Sequence, residues 1–568
     1  MKAYQTITAC GVLLVAIAHA QGQSTFTKIT NGDIVNDKAT TFTGSAWGDF
    51  NNDGYLDLFV CTWEGTNILY LNHKDGTFTK VVQGPAFQDA DAHLGAAIAD
   101  YNNEGNLGLL VAAGGASAVA ESPVLYQGHG DGTLTRSSVP VNIPAGFFWA
   151  ATWADYDNDG LPDLFITNEG DSQSSGGKNM LLHNEGNGSF SRVSSGAIVN
   201  DITASRCALW ADYDNDGLMD LLVINGAPRN NFLYHSDGHG AFTRVLTNVI
   251  ATDQWPSGAL HAAWGDFDND GLPDLFVTGA DGTTRLYHNS GNGSFTNVTS
   301  VPMVSLGLPS GASANGAAWG DYDNDGYLDL VVTCIGAPTL LFHNNGDGTF
   351  TKILTGYPVN DGGAGIFTAT CAWVDYDNDG FLDLFLTRNT QGASPISNLL
   401  YHNDGNTNAW LEVKLVGSVS NRSAIGAKVR VRATIGGKTF WQMREINTGG
   451  GWDVVPLVAH FGLGNATNIE VIRIEWPSGT VQELHNQAPR QMRTVTEPPA
   501  LKVAGPITAD SVQLSLIGVL GSSYELQTSS DLNNWTHWTT LTSTNRTTTL
   551  IDSTANTSST RFYRAVVR

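Results

Sequence analysis

Asp266-Phe267-Asp268-Asn269-Asp270-Gly271-Leu272-Pro273-Asp274 is the stretch whose reading decides the fold. Carboxylates stand at positions 1, 3, 5 and 9 of the nine, with glycine at position 6. A hard cation such as calcium takes six to eight oxygens at roughly 2.3–2.6 Å. Alternate residues of a tightly curled loop turn short carboxylates toward one point, the glycine allows the sharp turn, and residue 7 offers its carbonyl. The spacing starts like an EF-hand loop but closes at position 9, and Leu275-Phe276-Val277-Thr278 follows as a strand. The stretch therefore reads as a calcium loop set between two β-strands.

The loop recurs, beginning at Asp49, Asp100, Asp155, Asp212, Asp266, Asp321 and Asp375. The expected ligands of the first are Asp49, Asn51, Asp53, the Tyr55 carbonyl and Asp57. In the third they are Asp155, Asp157, Asp159, the Leu161 carbonyl and Asp163, and in the fourth Asp212, Asp214, Asp216, Leu218 and Asp220. The fifth uses Asp266, Asp268, Asp270, Leu272 and Asp274, and the sixth Asp321, Asp323, Asp325, Tyr327 and Asp329. The last uses Asp375, Asp377, Asp379, Phe381 and Asp383. The second copy, Asp100-Tyr-Asn102-Asn-Glu104-Gly105-Asn-Leu-Gly108, lacks the closing carboxylate, so this site is expected to be weak or empty and about six calcium ions are expected in all.

A fixed period of this length is the mark of a repeat architecture. Each repeat reads as four strands: Ala-x-Trp into the loop, Asp-Leu-Phe-Val out of it, then Leu-Tyr-His-Asn, then Phe-Thr-Lys-Val. That is the arithmetic of a propeller blade. The last repeat lacks its Phe-Thr-Lys strand, while Phe26-Thr27-Lys28-Ile29 is in surplus at the start. Ring closure, with the N-terminal strand completing the last blade, removes the free edge that an open solenoid would leave. The repeated tryptophans (Trp47, Trp153, Trp210, Trp264, Trp319, Trp373) are read as packing between blades, and His183, His235, His288, His343 and His402 as turn-stabilising residues.

Composition agrees. The chain has 568 residues and a formal charge of −25, which is too long for one core and too acidic to favour nucleic acid or an anionic membrane. Much of that acidity lies in the loops. Residues 1–20 read as a secretory signal, with Lys2, an apolar run from Ile7 to Ala18 and an A-x-A site at Ala18-His19-Ala20. The expected location is secreted, periplasmic or at the cell surface, with cleavage near Ala20 and no membrane span. Cys61, Cys207, Cys334 and Cys371 sit in apolar runs and read as buried small hydrophobes, with a disulfide as the alternative.

Residues 408–496 alternate with period 2, as in Trp410-Leu-Glu-Val413-Lys-Leu415, and form a second β domain. Thr496 to Ala500, with Pro498-Pro499, reads as a linker over 497–500, and residues 501–568 as a small immunoglobulin or fibronectin-like sandwich. In the second domain Arg422, Arg444 and Glu445 are charged residues read as ordering a loop or holding a ligand.

The Asp-x-Asp-x-Asp-Gly-x-x-Asp-Leu repeats resemble the FG-GAP/VCBS repeats of integrin α-subunits and secreted bacterial proteins, over about residues 40–405. Three phrases resemble the ASPIC/UnbV domain: Ser420-Asn-Arg-Ser-Ala-Ile-Gly-Ala427, Ala459-His-Phe-Gly-Leu-Gly464 and Ile474-Glu-Trp-Pro-Ser-Gly479. The order resembles the cartilage acidic protein family and its bacterial relatives. Gly449-Gly-Gly-Trp452-Asp-Val-Val455 departs from that pattern. The resemblance implies an all-β protein: a seven-bladed β-propeller over 21–407 with calcium loops, followed by two small β domains. It implies a role in adhesion or recognition of an extracellular protein or glycan. The alternative is a calcium-bearing propeller enzyme acting on polysaccharide, lyase-like. It would need unrepeated bases and cations such as Lys178, Arg206, Arg229, His261 and Arg388 gathered at one mouth of the ring. The ligand surface is expected in the unrepeated loops Val119–Pro123, Asp171–Gly177, Thr252–Gly258 and Gly392–Ser397.

Overall fold

The computed structural model describes residues 25–39, 41–63, 65–84, 93–114, 122–137, 143–170, 176–186, 188–390, 394–450, 452–505, 511–519, 521–553 and 560–567. The expected signal segment lies outside the described residues, as do parts of the loops at 119–123, 171–177 and 392–397.

Apolar residues alternate or run continuously through short segments bounded by Gly, Asp and Asn, and these segments become strands. They pair as four-stranded antiparallel units seven times along the chain. In the first, Phe42–Gly48 pairs with Asp57–Thr62, then Ile68–Asn72, then Phe78–Val81. The innermost strands touch one another in chain order, and Phe42–Gly48 returns against Phe367–Val374. The last unit has only three strands of its own. Its fourth is Phe26–Lys28, with Phe26 opposite Asn403 and Lys28 opposite Tyr401. The ring is therefore closed by the N-terminal strand, and a solenoid with free ends is ruled out.

The repeated tryptophans pack between blades. Trp47 meets Phe385 of the last blade edge-on at 5.5 Å, and Trp373 stacks on Tyr322 of the sixth at 6.0 Å. Trp153 stacks on Tyr101 of the second at 5.9 Å. All four cysteines of the described residues are buried, as their apolar neighbours imply.

After the ring, Ala409–Val416 lies between Val458–Gly464 and Gln491–Thr496, and a second sheet runs Lys438–Glu445, Lys428–Ile435, Ile469–Glu475, Val481–Gln487. Period-2 alternation sends Leu411, Val413 and Leu415 into a core with Val429, Val431 and Phe461, and turns Trp410, Glu412 and Lys414 to the other face. Two three-stranded sheets follow, around Leu516, Tyr524 and Leu526. The expected linker is firmly held. Glu497 is buried, and its Oε2 accepts from the backbone N–H groups of Ser418, Val419 and Ser420 at 2.8–2.9 Å. A carboxylate with three backbone donors pins the strand between the prolines and the second domain.

Candidate metal centres and the domain that covers them

All seven nine-residue loops join the first and second strands of their blades, so they lie together on one face of the ring. Locally each is shaped by its own carboxylates. In the fifth, Asp266 Oδ1 accepts from Asp270 N–H and Oδ2 from Gly271 N–H, at 3.0 and 3.1 Å. Asp274 accepts from Phe267 N–H at 3.2 Å and from Asn289 N–H at 2.7 Å. Gly271 has φ +88°, a left-handed conformation that suits glycine.

Carboxylates thus converge on one point in each loop. Ligand atoms of Asp157, Asp159 and His183 lie within 4.8 Å of one another, as do those of Asp214, Asp220 and His235, and of Asp268, Asp274 and His288. The same holds for Asp323, Asp325 and His343, and for Asp377, Asp383 and His402. One ion at ordinary oxygen distances spans such a group. At position 3, the Oδ1 atoms of Asp157, Asp214, Asp323 and Asp377 are buried and have no hydrogen-bond partner. An unpaired buried carboxylate oxygen is costly, so these groups fit a bound cation. Burial pushes the closing carboxyls Asp163, Asp274 and Asp383 up to about 7 and Asp220 up to about 9.

The histidines belong to these centres. His288 Nδ1 is 3.1 Å from Asp274 Oδ1 and 3.4 Å from Asp268 Oδ2, and His183, His235, His343 and His402 repeat the arrangement. Their pairing with the closing carboxyls raises His183, His288 and His402 to about 9. Reading them as turn residues missed that each bridges two acidic groups of its own loop. The shared period of the two motifs was the available signal.

The second loop keeps Asp100 but departs at the later positions. Gly108 replaces the closing Asp, Gln127 replaces the histidine, and a Cβ on Gly108 would lie 2.3 Å from the Tyr101 ring. Glu104 is held by Asn102 at 2.9 Å and Gln127 at 3.4 Å. Its donor set does not suit a cation.

The fourth loop residue was assigned no role in the sequence and proves to tie the loops together. Asn52, Asn103, Asn158, Asn215, Asn269, Asn324 and Asn378 all have φ between 55° and 60°, a conformation asparagine tolerates. Each donates through Nδ2 to the glycine carbonyl of the next loop. The bonds run from Asn52 to Gly105, Asn103 to Gly160, Asn158 to Gly217, Asn215 to Gly271, Asn269 to Gly326, Asn324 to Gly380, and Asn378 back to Gly54. A closed belt of side-chain bonds rims the loop face.

The second domain sits on that face. Lys414 Nζ is 3.3 Å from Asp49 Oδ2, Arg422 Nε 3.7 Å from Asp100 Oδ2, and Lys428 Nζ 2.7 Å from Asp212 Oδ2. Arg430 Nη1 donates to the Gly271 carbonyl at 3.2 Å, and the Asp266 and Asp321 carboxylates act on the enclosed Arg444. Arg546, from the third unit, donates to the Gly160 carbonyl at 2.6 Å. The two phrases Ser420–Ala427 and Ala459–Gly464 are contact surfaces: Ser423 Oγ accepts from Asp100 N–H at 2.9 Å, and Gly464 N–H donates to the Asn324 carbonyl at 2.7 Å.

The departing segment enters the bore. Asp453–Val454 pairs in parallel with Ser45 and Ala46 of the innermost strand, and Trp452 stacks on Trp149 at 5.1 Å. Gly44 admits it, since a Cβ there would lie 2.8 Å from the Trp452 carbonyl. Thr448 Oγ1 accepts from Trp153 N–H at 3.1 Å. On the side of the fifth to seventh blades a cavity of about 230 Å³ remains, lined by Trp264, Trp319, Asp375, Glu412, Arg444 and His460 among others.

Of the five residues considered for catalysis, Lys178 and Arg229 both meet Ile202. Lys178 donates to Asn200, Arg206 faces Glu169 at 3.5 Å, Arg229 donates to the Ile202 carbonyl and Arg388 to the Ser397 carbonyl. His261 is buried in an innermost strand.

Residues 49–111, 109–166, 155–223, 212–277 and 266–332 match the FG-GAP-like repeat family, and residues 417–502 match the family described as ASPIC and UnbV. The chain is similar to Cartilage acidic protein 1 of Mus musculus, 29% identical over 321 residues, covering 54% of this chain and 46% of that protein. The likeness to Cartilage acidic protein 1 of Homo sapiens is 29% over 282 residues, 47% of this chain and 40% of the other. The chain spans less than half the length of these curated relatives. Among solved structures it is similar to the Dos1 propeller, with a TM-score of 0.38 and 10% identity over 65% of this chain and 79% of that one.

Proposed function

This chain belongs to the FG-GAP-like repeat family and carries an ASPIC and UnbV domain, and on that premise we propose a secreted, calcium-stabilised recognition protein. Its partner is an extracellular protein or glycan. The observation that carries the calcium reading is the set of buried, unpartnered carboxylate oxygens at position 3 of repeated all-oxygen loops. Oxygen donors in this number suit calcium better than a softer metal. The residues that would hold it are the four acidic side chains and the seventh-residue carbonyl of each of six loops, with Asn51 standing in for Asp in the first. The second loop is read as weak or empty. A bound cation offsets the mutual repulsion of the carboxylates and fixes the hairpin of each blade, so metal binding is part of the folding free energy.

Recognition then falls to the face away from the loops, because the second domain covers the loop face and its segment fills part of the bore. The unrepeated connection Thr252–Gly258 lies on that free face, built around Trp255, which is buried beneath Arg285 at 4.5 Å from its ring centre. Melting with and without chelator tests the calcium reading: chelation is expected to lower Tm by many degrees and calcium to restore it, and an unchanged Tm would overturn it. Glycan arrays and pull-downs on the calcium-loaded full chain test recognition. New absorbance from unsaturated uronate product would instead favour the lyase reading.

A further inference from the structure

The seventh loop differs from the rest in what the second domain and the third unit bring to it. Basic groups meet the other six: Lys414 at Asp49, Arg422 at Asp100, Arg546 at Gly160, Lys428 at Asp212, Arg430 at Gly271, and Arg444 facing both Asp266 and Asp321. The seventh meets Glu412 and the buried imidazole of His460, whose Nε2–H donates to the Gly380 carbonyl at 3.2 Å. Glu412 is 4% exposed and faces Asp375, Asp379 and Asp383. Among the described residues its carboxylate has no hydrogen-bond or salt-bridge partner. Glu445, the other acidic group at this interface, differs: it accepts from Asp212 N–H at 3.2 Å and has Lys428 beside it.

Glu412 is placed there by the strand that carries it. It alternates with Trp410, whose indole covers Gly380, and with Lys414, bound to Asp49. The strand thus crosses from the seventh loop to the first. Two further oxygens of the seventh loop, Asp377 Oδ1 and Asn378 Oδ1, are buried and unpartnered. Glu412, Asp375 and Asn378 line the same cavity. A carboxylate buried near three others, without a positive neighbour, is costly unless it takes up a proton or shares a cation with them.

We propose that the cation of the seventh loop is held jointly by the two domains, with Glu412 as the ligand from the second domain. The ion is a hard divalent cation, and it is what fastens the second domain to the ring at this point, as lysine and arginine do elsewhere. This rests on the calcium reading of the loops.

The test is Glu412→Gln in the full chain, melted in chelator and across a calcium titration beside the wild type. In chelator the substitution removes a buried repulsion, so its Tm is expected to rise. In calcium the order reverses, and the midpoint of the calcium-dependent gain moves to at least about tenfold higher calcium. A wild type that ignores calcium defeats the loop reading itself. A wild type that responds, with Glu412→Gln responding as strongly, defeats this inference alone. Should the variant fail to fold, a crystal structure of the calcium-loaded wild type decides: Glu412 oxygens within coordination distance of the ion support the proposal, and oxygens beyond it overturn it.

Discussion

Gly462 is the single residue on which the seating of the second domain turns most directly. A Cβ there would stand 2.0 Å from Asp321 Oδ2 and 2.4 Å from Asn324 Cα. The carboxylate could rotate only by leaving the backbone N–H groups of Asp325 and Gly326 that it accepts from. The loop backbone cannot yield, because Asn324 is also bound to Gly380 and Gly464. Gly462→Ala is therefore expected to destabilise the protein by about 2–3 kcal/mol, the upper range for overpacking a tight contact. Urea unfolding of the two proteins in calcium measures it. A cost within about 0.5 kcal/mol, the ordinary range for a surface change, would mean that the domains are not seated this closely. The sequence displayed this glycine inside a family phrase, but nothing local to it disclosed the partner, which lies more than a hundred residues away in the chain.

At the scale of the element, the second loop is the informative exception. Gly108, Gln127 and Glu104 have replaced the donors together, and the second domain lays Arg422 against Asp100 at 3.7 Å. Arg422 N–H also donates to Asn103 Oδ1 at 2.7 Å. Arg422 thus offsets the charge of Asp100 in a loop that has lost its closing carboxylate. Arg422→Ala is expected to lower Tm by a few degrees, and by the same amount in calcium and in chelator. Asp214→Asn, in an intact loop, is expected to cost stability in calcium only. Melting curves of both variants under both conditions separate the two kinds of loop, and a calcium-dependent cost at Arg422 would place a metal in the second loop after all.

The loops also mark how far the sequence could be read. Blade strands, the closing strand Phe26–Lys28 and the nine-residue loops follow from local spacing, because each is a property of one repeat. Asn52 and its six equivalents form a belt only once consecutive blades are adjacent, and the sequence displayed their recurrence without its reason. The contacts of Lys414, Lys428 and Arg430 were illegible for another reason: they join surfaces that no period relates. Pro498-Pro499 suggested a loose linker, and Glu497 beside them was overlooked because its three donors come from a turn near Ser420.

For the whole molecule, the acidic centres set how stability responds to pH, and the response reverses with calcium. Burial raises Asp163, Asp274 and Asp383 from 3.8 to about 7 and Asp220 to about 9, and the bridging histidines His183, His288 and His402 rise from 6.5 to about 9. A group with a raised pKa in the folded state binds more protons folded than unfolded. Its contribution is full below the unfolded pKa and is lost as pH rises through the folded one. The carboxyls and the histidines act in the same direction. The metal-free protein is therefore expected to lose stability steadily from pH 5 to pH 9, since each proton that leaves exposes carboxylates to one another. Calcium competes with those same protons, so its affinity grows over this interval and the loaded protein is expected to hold or gain stability where the metal-free one fails. Chemical unfolding at pH 5, 7 and 9, in chelator and in saturating calcium, should give two trends that diverge as pH rises. Parallel trends would mean that the loops are not where protons and metal compete. The divergence belongs to no single loop, because the belt of asparagines and the second domain bind all seven into one face, and a centre that loosens strains its neighbours on both sides.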